Sequence, residues 1–156
     1  MKTRASFAGA PIHPMLVHYP IALWTTSVVT DVIFYFHRNT SLILISKYLI
    51  AAGIVGAILA AMPGLIDWLT ITEPAAKKTG TLHMILNLSA LLLFGVSLYL
   101  RMKNYGAAAV GHHLQVPFVV SVAGLVDMMI AASLGGKLVY QHRMGVDEAS
   151  SPGSQR

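Results

Sequence analysis

The sequence predicts an all-α protein, a polytopic transmembrane four-helix bundle of up-down topology, and three observations carry that expectation. First, the 156 residues are 55% hydrophobic and only 11% charged, with a mean hydropathy of +0.65. A soluble domain carries about 25% charged residues, and a globule this size could not cover its surface with so few. Second, four segments reach the roughly 20 apolar residues that a membrane crossing needs at ~1.5 Å each. Third, the connections between them are short, which makes sequential helices antiparallel neighbours.

The first predicted span runs over residues 15–36 and is broken by His18, Pro20 and Asp31. The second covers 48–69, with Pro63 and Gly64 near its end, where the missing backbone donor of proline should kink it. The third covers 82–100 and the fourth 116–140. Each span holds at least one ionisable group, so none is a bare anchor. Together they form one domain over residues 1–146. The tail 147–156 (DEASSPGSQR) is polar, rich in small residues and expected to be disordered. Gly53, Gly56, Ala131, Ala132, Gly135 and Gly136 offer faces for close helix approach, and self-association stays open.

Composition also excludes several functions. Cysteine is absent, which removes disulfides, thiolate metal sites and cysteine nucleophiles. The net charge of +5 does not point to nucleic acid, because the basic residues sit in short segments between apolar runs and form no stripe with interleaved aromatics. The N-terminus MKTRASFAGAPIHP lacks the apolar core of a cleavable signal peptide. No nucleophile–base pair, phosphate loop or catalytic carboxylate pair is present, so a binding or electron-transfer subunit fits better than a stand-alone enzyme.

Four spans place both termini and the 70–81 connection at one end of the bundle, here end A, and the other two connections at end B. Lys2, Arg4, Lys77, Lys78, Lys137, Arg143 and Arg156 fall at end A; Arg38, Lys47, Arg101 and Lys103 fall at end B. That asymmetry favours end A in the cytoplasm by too little to orient the chain.

The polar residues are less evenly spread. His13 and His18 open the first span at end A, Asp67 closes the second, His83 and Asn87 open the third, and Lys137 and His142 close the fourth. Of seven histidines, only His37, His112 and His113 fall at end B. Ionisable groups inside a bilayer are expensive and usually face the bundle interior or a water-filled cavity. A layer of imidazoles at one depth is therefore the functional signal.

Neutral imidazole is the commonest metal ligand. Two histidines on facing helices at one level suit an axially bis-histidine haem, and His18 with His83 is the expected pair. Asn87 lies one turn beyond His83, and Asp67 could orient an imidazole from behind. Gly135 and Gly136 would leave room for a macrocycle. The rival is a bare transition-metal site, for binding or transport, drawn from His13, His18, Asp67, His83 and His142. His13 and His18 are about 140° apart around a helix and cannot easily share one ion, which keeps haem ahead. A third reading makes the layer a polar network that only locks the bundle, as in a structural subunit of a larger redox complex. Asp31 is expected to pair with Arg38 or Lys47, Lys137 to pair with Asp67, reach the surface or contact a cofactor carboxylate, and Asp127 to be a protonated, hydrogen-bonded core acid or part of a proton path.

The strings HPMLVHYPIAL (13–23), PGLIDW (63–68), HMILN (83–87) and GGKLVYQHRMGV (135–146) resemble the domain of unknown function 2231 family, bacterial four-helix membrane proteins. The resemblance covers residues 11–146. One departure is QHRMGV, where a glycine would be expected directly after the histidine. Relatives of this kind are sometimes joined to redox modules such as cytochrome c or Rieske-type domains. The resemblance thus implies electron transfer through haem b, exchange with a quinone or a partner redox subunit, and a bacterial inner membrane. The matching positions are His13, His18, Asp67, His83, Asn87, Gly135, Gly136 and His142.

Overall fold

The computed structural model describes residues 5–103 and 114–146. A two-stranded antiparallel hairpin, β1 (Ser6–Phe7) and β2 (Ala10–Pro11), precedes a short helix α1 (Ile12–Leu16). Four long helices follow: α2 (His18–His37), α3 (Ser41–Leu69), α4 (Pro74–Lys103) and α5 (Gln115–Tyr140). With α1 and α2 taken as one crossing, four segments are long and apolar enough to span a membrane. Large apolar side chains such as Ile33, Ile58, Leu92 and Met129 point outward, the arrangement expected where lipid replaces water as solvent.

Helix ends differ from the hydropathy reading for reasons of capping. α3 starts at Ser41 rather than 48, because the Asn39 side chain accepts the Ser41 N–H at 3.0 Å. α4 starts at Pro74 rather than 82: proline suits a first helical position, and the Glu73 carboxylate accepts the N–H groups of Ala75 and Ala76. Hydropathy ignores the polar first turn of α4, whereas the first turn of α3 (SLIL) is largely apolar. Pro63 lies inside α3, which continues through it. The expected tail 147–156, His112, His113, Lys2, Arg4 and Arg156 lie outside the described residues.

The core repeats itself. α1 and α2 pack on α3 as one half of the bundle, and α4 packs on α5 as the other. Corresponding contacts recur 70 or 71 positions on. Gly53 makes room for Trp24 (a Cβ there would lie 2.3 Å from the indole nitrogen), and Gly124 makes room for Phe94 in the same way at 3.0 Å. The halves then meet through these equivalent residues. Trp24 stacks on Phe94, with centroids 4.3 Å apart and planes 12° from parallel, at the centre of a cluster with Val28, Ile50, Ala90 and Met128.

At end B the same rule gives an ion pair. Asp31 lies 70 positions before Arg101, and they are 6% and 3% exposed. The guanidinium meets the carboxylate with two bonds, Nη1 to Oδ1 at 2.9 Å and Nη2 to Oδ2 at 2.5 Å. It also reaches the hydroxyls of Ser46, Ser97 and Ser121, so one side chain ties α2, α3, α4 and α5 together. The expected pairing of Asp31 with Arg38 or Lys47 is thereby corrected. Arg38 ends α2 in the left-handed region (φ 54°) with its guanidinium over the Phe34 and Tyr35 rings. Arg101 wins because its planar fork is buried with the carboxylate, where a matched pair satisfies every charge.

Candidate paired-imidazole site

At end A the corresponding residues of the two halves are histidines. His13 and His83 approach with ring centroids 6.0 Å apart and planes at 88°, edge to face. Each ring is seated in the partner helix of its own half by the same device. His13 Nδ1 lies 2.7 Å from the carbonyl of Ala60 in α3, and His83 Nδ1 lies 2.7 Å from the carbonyl of Ala131 in α5. A carbonyl oxygen only accepts, so both Nδ1 atoms donate and the neutral ring keeps its lone pair on Nε2.

The sequence builds the two seats alike: Ala60-Ala61-Met62-Pro63-Gly64 and Ala131-Ala132-Ser133-Leu134-Gly135. The glycine one turn beyond the accepting alanine is what lets the imidazole lie against the helix. A Cβ on Gly64 would sit 2.7 Å from His13 Nδ1, and one on Gly135 would sit 3.1 Å from His83 Cε1. In the first seat Pro63, which has no backbone N–H, directly precedes that glycine.

Other members of the expected layer fall as follows. Asn87 is one turn beyond His83; its Nδ2 donates to the His83 carbonyl at 2.8 Å and lies 3.2 Å from His83 Nε2. Gly136 faces open space. His18 is exposed, with Nδ1 donating to the Met15 carbonyl of the preceding turn at 3.3 Å. The expected pairing of His18 with His83 is therefore corrected to His13 with His83. The reason is helical spacing: His13 and His18 are about 140° apart, and the backbone stays helical through Val17, so only one of them can face His83.

Asp67 is buried but accepts the N–H of Ala5 at 3.3 Å, holding the N-terminal hairpin to α3. Backbone carbonyls, not Asp67, orient the imidazoles. His142 sits away from the pair. Its Nδ1 is 3.5 Å from the Glu73 carboxylate and its Nε2 is 3.4 Å from the Thr79 hydroxyl, pinning the end of α5 against the start of α4. The N–H groups of Ala76 and then Ala75 hold the Glu73 carboxyl below the usual carboxylate range, helped by His142. Lys137 is exposed. Asp127 accepts the hydroxyl of Ser89 at 2.6 Å, as a hydrogen-bonded acid should. Among the described residues no group of three or more histidine or acidic side chains converges, so the five candidates for a bare-metal site are dispersed.

A cysteine-free bundle of apolar crossings, carrying its polar groups between the helices, defines an integral membrane protein of the polytopic α-helical class. The chain belongs to the family described as predicted membrane protein (DUF2231), which matches residues 9–148. Neither comparison with curated proteins nor comparison with solved structures finds a match.

Proposed function

We propose that this membrane protein is an electron carrier of the bacterial inner membrane, in which His13 and His83 would hold a haem b. One observation carries the reading: both rings have Nδ1 tied to a backbone carbonyl at 2.7 Å, in matching Ala-Ala-x-x-Gly seats, at a contact between the two halves. Ligating histidines almost always donate their other ring nitrogen in this way, which fixes the tautomer and raises the basicity of the free nitrogen.

The donor set fits haem better than a bare ion. Zinc and similar ions take three or four protein ligands, whereas a b-type haem asks the protein for two, one on each axial side. Haem would supply a reversible one-electron couple within the bilayer. The chain's own part is to hold two neutral imidazoles at a common depth and exclude water with the Trp24–Phe94 layer beneath them. Asn87, beside His83 Nε2, holds that nitrogen by a hydrogen bond and must turn aside when it ligates. Electrons would pass to a quinone or a partner redox subunit at end A.

The test is the absorption spectrum of protein purified in detergent, before and after addition of haemin. A Soret band with sharp reduced α and β bands is expected, lost in His13→Ala and in His83→Ala and kept in His18→Ala. Colourless protein that takes up no haemin, or bands that survive both substitutions, would end the reading. Bound metal by elemental analysis in such colourless protein would favour the bare-metal alternative.

A further inference from the structure

We propose that the two halves of the bundle pivot on the Asp31–Arg101 pair and part at end A, opening a lateral mouth between α1 and α5 that bares His13 and His83. α1 and α2 meet α4 at three depths, and these contacts weaken in order from end B to end A. The end-B contact is a fully buried, doubly bonded ion pair whose guanidinium is also held by three serine hydroxyls. At mid-depth the contact is a flat aromatic stack, with Trp24 Nε1 further donating to the Ile50 carbonyl. At end A it is an edge-to-face approach of two rings whose hydrogen bonds all run within their own halves. Separating those rings costs no hydrogen bond.

The remaining polar contacts at end A decide which side opens. α3 and α4 are held together there by the short connection 70–73, by Trp68 Nε1 donating to Thr81 Oγ1 at 3.1 Å and by Lys77 Nζ on the Trp68 carbonyl at 2.6 Å. That side is the spine. On the opposite side two attachments run within their own halves: Ala5 binds Asp67 of α3, and His142 binds Glu73 and Thr79 at the start of α4. The first turns of α2 meet α5 through apolar packing, with Ile21 against the cluster that holds Met128. The ring contact of Tyr35 with Phe118 lies at end B. Gly136 faces open space on the α5 side of the mouth.

The geometry stands without any cofactor, although its use as an entry for a flat apolar ligand rests on the haem reading. The absence of cysteine makes the test clean. Spin labels are placed on the full-length protein in nanodiscs at exposed positions, as Met15→Cys with Tyr140→Cys across the mouth and as Phe36→Cys with Val116→Cys at end B. Pulsed electron–electron resonance, with no haem added, should give a broad or two-peaked distance distribution across the mouth and a narrow one at end B. Adding His13→Ala should broaden only the former, and adding Arg101→Gln should broaden the latter. Distributions equally narrow at both ends, or equally broad, would overturn the pivot. A protein that opens but never binds haem would retire the haem reading alone, and a haem-binding protein with a narrow mouth would retire the pivot alone.

Discussion

Arg101 and Asp31, 70 positions apart, form a planar two-bond ion pair that is almost wholly withdrawn from solvent. Removing one partner strands the other charge among apolar helices, which typically costs about 3–5 kcal/mol, whereas replacing both with apolar residues of similar volume is often neutral. Arg101→Met should therefore destabilise the bundle by about 3–5 kcal/mol, and Asp31→Leu/Arg101→Met by clearly less. Chemical unfolding in detergent micelles measures both. A double variant worse than the single would show that the hydrogen bonds to Ser46, Ser97 and Ser121 matter more than the charges.

The two glycine notches in the mid-layer differ in tightness. An added Cβ meets the Trp24 indole at 2.3 Å in Gly53→Ala but the Phe94 ring at 3.0 Å in Gly124→Ala. Overpacking of this kind costs about 1–3 kcal/mol, and Gly53→Ala should lie at the upper end. Trp24→Phe should recover part of the loss in Gly53→Ala. Thermal unfolding of the four proteins orders them.

Gly64→Ala and Gly135→Ala push directly on the imidazoles, at 2.7 and 3.1 Å. Both should lengthen or break the Nδ1–carbonyl bonds, the first more severely. Nitrogen chemical shifts of the ring would report it as a loss of the fixed tautomer, whether or not haem is present.

Glu73 titrates outside the membrane-spanning segments. Its folded carboxyl is held below the usual range, chiefly by the Ala76 and Ala75 N–H groups. The sign follows: a depressed carboxyl stabilises the fold above its unfolded pKa, and that stabilisation is lost as pH falls through the folded value. Protection of the Ala75 and Ala76 amides, corrected for intrinsic exchange, should be constant from neutral pH down to the ordinary carboxylate range and drop below it. In Glu73→Gln the drop should vanish.

Much of this architecture was legible in the sequence. Low charge and four apolar runs define the crossings, and alternating helix direction alone brings His13, His83, Asn87 and His142 to one end. The partner of His83 was not legible from hydropathy. His13 and His18 lie about 140° apart around the helical path, and the structure turns His13 inward and His18 to the exposed side. Asp31 was matched to nearby cations because sequence reading favours local pairs, while Arg101 looked like part of a connection. The structure shows how the two halves correspond. His13, Trp24 and Asp31 align with His83, Phe94 and Arg101, and AAMPG aligns with AASLG. The identities are few, and the charged pair is opposite in sign, so the repeat is written in contacts more than in letters.

That opposite sign has a consequence for how the protein is made. A ribosome adds roughly 5–20 residues per second, so the carboxylate of Asp31 is synthesised roughly 4–14 s before the guanidinium 70 positions later. During that interval the first two crossings carry an acid whose counter-charge does not yet exist. Biogenesis must therefore keep them beside a polar surface of the insertion machinery, or in a protonated state, until the third crossing supplies Arg101.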